Sequence, residues 1–325
     1  MVEVTVLVAV YNAAGYLPRC LDSLLGQSLA DIQIICIDDG STDGSLQILN
    51  DYARRDKRVE VIHLDENCGQ AHARNVGLQQ ARGNFVCMVD ADDWLSLDAL
   101  ELMTAAFDDT TDCVLFDVVM VYADREELYP MPVFESLTGQ EAFRLSLTWQ
   151  IHGLYGVRLA IHRDLPYDDT CRSYSDDNTT RIHYLCSRRV GRCEGRYYYR
   201  QHDGSVTHQV SVRRFDYLRA NESMRRQMLA LQVDDSLVTL YENHRWLNLI
   251  DVCMFYHVHG RELSDADRRY GLQEIHRVWA TIDRHALRKE TTAKFGYRPC
   301  SAWALFRLQE WLYFTLRGLL GRNRH

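Results

Sequence analysis

Residues 85–94 read Phe-Val-Cys-Met-Val-Asp-Ala-Asp-Asp-Trp, an apolar run that leads directly into three carboxylates. A continuous apolar run is typical of a parallel strand that is covered on both faces. In parallel α/β sheets ligands bind beyond the carboxyl ends of the strands, where Asp90, Asp92 and Asp93 would lie. Carboxylates spaced i and i+2 there can converge on Mg²⁺ or Mn²⁺. Because an isolated D-x-D is more often an acidic turn, the metal interpretation depends on the rest of the chain.

The segments around this stretch alternate between strand and helix patterns. Apolar runs predict strands, and apolar stripes at helical spacing predict the helices between them. The predicted strands are 4–10, 32–37, 59–64, 85–89 and 113–121, and the predicted helices are 16–25, 44–54, 71–81 and 97–107. This order predicts an α/β fold with a mostly parallel, Rossmann-like sheet flanked by helices. Further helices are predicted at 215–231, 236–257, 265–285 and 301–320.

Charge is unevenly distributed along the 325 residues, which carry 37 Lys+Arg against 45 Asp+Glu, a net charge of -8. Residues 284–325 contain nine Lys/Arg against Glu290 and Glu310, a net of +7, so the remainder carries -8 - 7 = -15. The 46% hydrophobic content excludes wholesale disorder. An acidic chain is a poor candidate for sequence-independent binding of nucleic acid, so we expect no nucleic-acid partner.

Cysteine usage and hydropathy indicate the compartment. The ten cysteines form no C-x-x-C pair, which disfavours a zinc ribbon or a thioredoxin-type motif, and they are typical of reduced thiols in a cytosol. The N-terminus lacks the basic region of a signal peptide. No uncharged apolar stretch reaches the roughly 18 to 20 residues of a spanning helix. We therefore expect a cytoplasmic protein that is soluble or peripheral on the inner face of the plasma membrane.

The segment 303–320 combines a largely apolar circumference with flanking basic residues. This pattern suits an interfacial helix on an anionic membrane. A helix that packs on the rest of the protein, or pairs in a homodimer, would show the same pattern. The sequence leaves these alternatives open.

Four motifs lie in order at the predicted strand ends and helix starts. They are Val-Ala-Val-Tyr-Asn at 8–12, Ile-Asp-Asp-Gly-Ser-Thr-Asp at 37–43, the segment 66–75 with Glu-Asn-Cys-Gly and Ala-Arg-Asn, and Val-Asp-Ala-Asp-Asp-Trp at 89–94. Together they resemble the family-2 glycosyltransferases, inverting enzymes with the GT-A fold. The resemblance is dense over 4–125, looser to about residue 208, and fades in the C-terminal third.

The resemblance implies a nucleotide-sugar site and a metal. It assigns nucleotide binding to Ala9, Val10, Tyr11, Asp39, Arg74, Asp90 and Arg200, with Asp39 accepting a hydrogen bond from the base. Asp92 resembles the direct ligand of Mg²⁺ or Mn²⁺, Asp90 would act through bound water, and His202 or His208 could complete the shell. For Arg74 and the histidines, an ordinary structural role is the alternative.

The resemblance also implies an acceptor site. Residues 174–178, Tyr-Ser-Asp-Asp-Asn, match the family segment that carries the catalytic base, which makes Asp177 the base and leaves Asp176 as a second candidate. A helix start enriched in Asp for dipole reasons is the structural alternative. Trp149 and His152 match the region that presents the acceptor or donor sugar, although a Trp is more often part of a core.

The implied function is an inverting, metal-dependent transfer of a sugar from a nucleotide-sugar, by default a UDP-sugar, to a hydroxyl of a glycan or lipid-linked acceptor in cell-surface polysaccharide synthesis. The expected GT-A catalytic domain is 1–211, with a nucleotide-sugar-binding half (1–125) and an acceptor half (126–211). A helical region, 212–325, would follow it. One alternative is a nucleotidyltransferase, disfavoured because no Gly-rich basic loop follows the first strand. The other is a non-catalytic binding module, which the intact acidic motifs disfavour.

Overall fold

The computed structural model describes residues 1–169, 173–202, 210–293 and 298–320. The chain divides into two compact units, Met1–Val206 and Thr207–His325. In the described chain, one mixed ten-stranded sheet runs through the first unit, and the second unit is built from helices.

The strands follow the order β3-β2-β1-β4-β9-β6-β10-β5, with β7 beside β6 and β8 beside β10. They are β1 (Val4–Val10), β2 (Ile32–Asp39), β3 (Val59–Leu64), β4 (Phe85–Met88), β5 (Trp94–Leu95), β6 (Thr111–Val121), β7 (Glu126–Leu128), β8 (Ser136–Thr138), β9 (Tyr155–Arg158) and β10 (Arg189–Arg200). The helices of this unit are α1 (Leu17–Leu25), α2 (Ser45–Arg55), α3 (Gln70–Gln80), α4 (Ala99–Ala105), α5 (Gly139–Ser146), α6 (Leu159–Asp164) and α7 (Ser175–Cys186).

Strands β1 to β4 are parallel, and β1, β2 and β4 are buried on both faces, which explains their apolar runs, whereas β3 is a partly buried edge strand. Val4, Val6, Val8 and Val10 of β1 pack in the core that contains α1, whereas Leu7 belongs to the opposite core with Ala73 and Leu78 of α3. The alternation of side chains along a strand therefore supplies two apolar layers from one segment. The carboxyl ends of β1, β2 and β4 lie side by side at one edge of the sheet.

The sheet is mixed rather than parallel throughout. Strand β9 lies antiparallel between β4 and β6, while β6 and β10 are parallel to each other. The sequence did not predict β9, because four residues in an irregular stretch are too short to show a period. Strand β10 matters for the site, since it ends in Arg200 and pairs with β5 just after the D-x-D.

The second unit is helical in its described residues. Its helices are α8 (Asp216–Ala230), α9 (Asp235–His259), α10 (Asp265–Thr281), α11 (Lys289–Ala293) and α12 (Trp303–Leu319). The long helix α9 packs against α8, α10 and α12. The predicted helix at 265–285 ends at Thr281, and a short 3-10 turn follows at Arg284–Ala286. Among the helices described, none is long and apolar enough to cross a lipid bilayer.

Candidate functional site

The turns after β1 and β2 are locked together by reciprocal hydrogen bonds. Asn12 has a left-handed φ of 50°. Its side-chain Oδ1 accepts from the backbone N–H of Thr42 at 2.8 Å, and its own N–H donates to Ser41 Oγ at 3.0 Å. Two further backbone N–H groups, from Ala13 and Ala14, donate to the side chains of Ser45 at the start of α2 and of Asp43 in the second turn. This lock holds the end of β1 in place, where the ring of Tyr11 is half exposed while Val10 is buried and Ala9 is partly buried.

Asp39 ends β2 and is almost fully buried. Its two carboxylate oxygens accept the backbone N–H groups of Cys68 and Gly69 at 2.8 and 2.9 Å. Gly40 follows with a φ of 69°, and a Cβ there would come within 2.7 Å of the carbonyl carbon of Glu66. The close approach of these two backbone segments fixes the Asp39 carboxylate at the strand end.

Arg74 of α3 reaches the D-x-D loop. Its Nη2 donates to Asp90 Oδ1 at 2.6 Å, and Gln70 Nε2 donates to the same oxygen at 2.9 Å. Burial alone would lower the pKa of the Arg74 guanidinium, but Tyr167, Asp90 and Asp176 raise it above its ordinary value. Arg74 is therefore a fixed positive charge beside the end of β4.

Tyr167 supports this arginine, a contact that no sequence pattern predicted. The Arg74 guanidinium lies 5.2 Å from the Tyr167 ring centroid. The backbone of Tyr167 is held by Asn75, which accepts its N–H at 2.9 Å and donates to its carbonyl at 2.8 Å. The loop after α6 is thus tied to α3 next to the site.

The D-x-D loop is braced from behind by Tyr197 of β10. The buried Tyr197 hydroxyl accepts the backbone N–H of Asp90 at 3.0 Å and donates to Asp93 Oδ2 at 2.9 Å. Asp93 Oδ1 accepts the backbone N–H of Arg200 at 2.8 Å. Burial, with repulsion from Asp90 and Asp92, raises the pKa of Asp93 to about 9. Asp93 is therefore a structural carboxyl that faces the protein interior.

Asp92 faces the end of β10. Its Oδ2 lies 2.9 Å from His202 Nε2, and Arg200 Nε donates to its carbonyl at 2.9 Å. His202 stacks on Tyr16, with ring centroids 5.2 Å apart. The Arg200 guanidinium lies 4.9 Å from the centroid of the buried Trp94 ring. Asp92, His202 and Arg200 thus converge in one corner of the site.

The donor types in this corner fit a divalent cation. A carboxylate and an imidazole that already lie within hydrogen-bond distance are ligand types that Mn²⁺ and related ions accept. No group of three or more His, Cys, Asp or Glu is gathered for a metal within the described ranges. The candidate ligand His208 lies outside those ranges. The protein ligands described would need water or substrate oxygens to complete a shell.

The start of α7 carries the two remaining candidate carboxylates. Burial raises the pKa of Asp177 to about 7, Arg181 opposes that shift, and Asp176 adds to it. Arg181 Nη1 lies 3.9 Å from Asp177 Oδ2. The charge of Asp176 acts on Arg74 and on Asp90, whose pKa is raised chiefly by burial. The helix start and the D-x-D therefore share one electrostatic environment.

Trp149 and His152 differ in accessibility. Trp149 has a left-handed φ of 55°, is 42% exposed, and its ring centroid lies 5.0 Å from the Arg181 guanidinium. His152 is buried, which lowers its pKa to about 4, and its Nδ1 accepts the N–H of Leu154 at 3.2 Å. Contact of either residue with a sugar stays a prediction, and the Trp149 ring is the more accessible of the two.

The mixed α/β sheet, with helices on its faces and acidic residues grouped at its strand ends, matches the GT-A fold of glycosyltransferases. The family model described as glycosyl transferase family 2 matches residues 5–166. Residues 5–166 of the chain thus match this family, in agreement with the resemblance that the four motifs showed. The matched segment includes Asp39, Arg74, Asp90 and Asp92 and ends before α7.

Curated relatives match part of this chain, and a solved structure shares its fold. The uncharacterized glycosyltransferase EpsJ of Bacillus subtilis is 34% identical over 217 residues, 63% of this chain and 62% of EpsJ. A teichoic acid poly(glycerol phosphate) polymerase of Staphylococcus epidermidis is 37% identical over 111 residues, 34% of this chain and 15% of the polymerase. The chain thus spans less than two thirds of the length of these relatives. S. aureus TarS 1-349 in complex with UDP-GlcNAc superimposes with a TM-score of 0.74 at 19% identity, covering 98% of this chain and 92% of TarS.

Proposed function

We propose that the chain is an inverting, metal-dependent glycosyltransferase. It would move a sugar from a UDP-sugar to a hydroxyl of a glycan or lipid-linked acceptor in cell-surface polysaccharide synthesis. One observation carries the proposal. The charge of Asp176, the neighbour of Asp177 at the start of α7, acts on the Arg74–Asp90 ion pair at the strand ends. This supports a base and a donor-binding site close to each other.

The nucleotide would bind at the ends of β1 and β2. The half-exposed ring of Tyr11 offers a surface for the nucleoside, and the backbone of Ala9 and Val10 lies directly behind it. Each Asp39 oxygen accepts one backbone N–H, and a carboxylate oxygen has a second lone pair that can accept the N–H of a base. The complex of TarS with UDP-GlcNAc supports uridine as the base.

The diphosphate would bind near Asp92. Asp92 and His202 would hold Mg²⁺ or Mn²⁺, with Asp90 contributing through water. When bound, the cation would neutralise charge on the diphosphate leaving group. Arg74 and Arg200 supply fixed positive charge on the same side, and Tyr197 keeps the loop that carries Asp90 in place.

Asp177 would act as the general base. A pKa of about 7 leaves much of this carboxyl ionised at neutral pH while it still binds a proton well. As the acceptor oxygen attacks the anomeric carbon from the face opposite the diphosphate, its proton passes to the Asp177 carboxylate. The new C–O bond forms as the bond to the diphosphate breaks, which inverts the anomeric centre. The exposed ring of Trp149 would support the acceptor sugar.

The name of one relative supports this acceptor class. The teichoic acid polymerase is named for a cell-surface polymer, which favours a polymeric or lipid-linked acceptor here.

A nucleotide-release screen tests the proposal. The purified chain is incubated with a panel of nucleotide-sugars and Mn²⁺, and free nucleotide is measured with and without EDTA. We expect release from a UDP-sugar that EDTA abolishes and that Asp92→Ala lowers at least about a hundredfold. Asp124→Ala, in an exposed loop, is the matched control and should retain wild-type turnover. Turnover that is indifferent to both EDTA and Asp92→Ala would refute the metal site.

A further inference from the structure

Helix α12 has one face that packs against its own unit. Phe306, Glu310 and Phe314, spaced four residues apart, are buried. The Phe306 ring lies 6.1 Å from the Trp246 ring, and the Phe314 ring lies 4.9 Å from that of His257, both in α9. These contacts fix the orientation of α12.

The opposite face is apolar and exposed. It consists of six side chains that are between 47% and 80% exposed: Leu305, Leu308, Trp311, Leu312, Leu316 and Leu319. We call this set the apolar face of α12. Soluble monomers rarely expose a contiguous apolar surface of this kind, and where it occurs it marks an interaction site.

The breadth of this face argues against a paired helix. A coiled-coil seam is a narrow stripe of two apolar positions per heptad, flanked by charged residues that select the partner. Here Trp311 and Leu316 widen the apolar stripe on both sides, and the neutral residues Gln309 and Thr315 are the polar side chains beside it. A broad apolar arc that includes a Trp is typical of helices that lie in a membrane interface.

The charges around α12 favour an anionic surface. Glu310 is the one acidic residue of this helix, and its carboxyl is buried against the packed face in an ion pair with Arg307. The exposed face therefore presents no carboxylate to a negative surface. The sequence from 284 to 325 has a net charge of +7 and adds Arg322 and Arg324 directly after the helix. Basic residues beside an apolar helix strengthen its binding to anionic lipids.

We propose that the apolar face of α12 docks on an anionic lipid surface. The six side chains enter the boundary between headgroups and acyl chains, and the basic residues that flank the helix in sequence interact with lipid phosphates. This inference goes beyond the proposed transferase reaction and does not depend on it, because lipid binding is measured without any substrate.

Vesicle co-sedimentation of the full chain tests this surface. Vesicles of phosphatidylcholine mixed with phosphatidylglycerol are compared with pure phosphatidylcholine, at low and high salt. We expect binding to the anionic vesicles that salt weakens. Leu312→Glu should lower that binding by about tenfold or more, because it places a charge in the centre of the apolar face. Leu229→Glu on α8 is the matched control, since both leucines are 47% exposed, and it should bind like the wild type.

Three results decide the matter. Equal loss in both variants would show a general effect of added negative charge and would overturn the proposal. Unchanged vesicle binding by Leu312→Glu would overturn it as well. A wild-type dimer in solution that Leu312→Glu converts to a monomer, with no vesicle binding by either protein, would assign the face to a second copy instead. Thermal unfolding of each variant checks that the chain is folded, and Leu316→Glu serves as a second test of the same face.

Discussion

At the level of single residues, burial gives the two carboxylates of the α7 start different properties. The Asp177 carboxyl has a pKa of about 7, mainly because it is buried, whereas the charge of Asp176 acts on the Arg74–Asp90 pair. Two adjacent carboxylates can therefore have different roles. Asp177 can accept a proton, while the charge of Asp176 acts on the strand ends where we propose that the nucleotide-sugar binds.

Asp177→Asn should lower kcat by about 10²–10⁴-fold with little change in KM for the nucleotide-sugar, because it removes the base and keeps the shape. In the wild type, kcat/KM should rise with pH up to about 7 and then level off, since the base must be deprotonated to act. This rising limb should be absent from any residual activity of the variant. Steady-state kinetics over a range of pH measures both effects.

The companion variant Asp176→Asn separates the two carboxylates. Removing the Asp176 charge should lower the pKa of Asp177, so the rising limb should move to lower pH while turnover persists. If Asp176→Asn abolished turnover and Asp177→Asn retained it, the base would be Asp176.

Tyr197→Phe tests the brace behind the D-x-D loop. Loss of the hydroxyl leaves the N–H of Asp90 and the carboxyl of Asp93 without this partner, so the loop that presents Asp92 should loosen. Groups that orient metal ligands typically contribute 10–100-fold to metal affinity. We expect the Mn²⁺ concentration for half-maximal activity to rise by about tenfold, with kcat largely restored at saturating metal.

Tyr184→Phe is the matched control for this brace. Its hydroxyl is equally buried and donates to the carbonyl of His152 at 2.6 Å. We expect Tyr184→Phe to lose about as much stability as Tyr197→Phe and to keep the metal requirement of the wild type. An unchanged metal requirement in Tyr197→Phe as well would show that the brace serves stability alone.

At the level of elements, the end of β2 depends on the turn that follows it. Gly40 adopts a φ of 69° and allows the backbone of 66–67 to pass so closely that a Cβ would clash with it. That approach brings the N–H groups of Cys68 and Gly69 to Asp39. The strand, the glycine and the following loop therefore form one unit for presenting the Asp39 carboxylate.

Gly40→Ala should lower the free energy of unfolding by about 1–3 kcal/mol through backbone strain and the clash with residue 66. Nucleotide affinity should fall with it, because the contacts of Asp39 would shift. Denaturant unfolding and UDP titration measure the two effects. Gly15→Ala is the control for stability, since a Cβ at Gly15 meets open space. Wild-type stability in Gly40→Ala would contradict the argument.

Some elements were predictable from the sequence for a physical reason. Parallel strands buried on both faces produce continuous apolar runs, so β1, β2 and β4 lie within about two residues of their predicted bounds, as do the edge strand β3 and the helices between them. The same logic placed acidic residues at the strand ends. Strand β9 and the antiparallel pairings of β5, β7 and β8 escaped prediction, because strands of two to four residues carry no measurable period. Tyr197 and Tyr167 escaped because they contact Asp90 and Asn75 across 107 and 92 residues of sequence.

At the level of the whole molecule, the acidic and basic parts of the sequence belong to different units. The carboxylates at the strand ends and at the start of α7 lie in the first unit, while the segment with a net charge of +7 lies in the second. A ligand that binds only the folded site should stabilise the protein by mass action.

UDP with Mn²⁺ should therefore raise the midpoint of thermal unfolding. At a UDP concentration of about a hundred times Kd, the stabilisation should be about 2.7 kcal/mol. EDTA should remove most of that gain, and Asp92→Ala should show the same small shift with or without metal. Differential scanning fluorimetry provides the measurement. A midpoint that UDP and Mn²⁺ do not move would argue against a nucleotide site at these strand ends.

The hydrogen bonds between the turns after β1 and β2 have a consequence for engineering donor specificity. Asn12 exchanges hydrogen bonds with Ser41 and Thr42, so a change of length in one turn, or a substitution of Asn12 or Ser41 alone, would break this pairing. We expect that most variants in a library that randomises only one turn would lose the hydrogen bonds between the two turns. Replacing both turns together, with the two turns of one relative, would keep these hydrogen bonds. We therefore expect paired replacement to be the more effective way to change which nucleotide-sugar the proposed site binds.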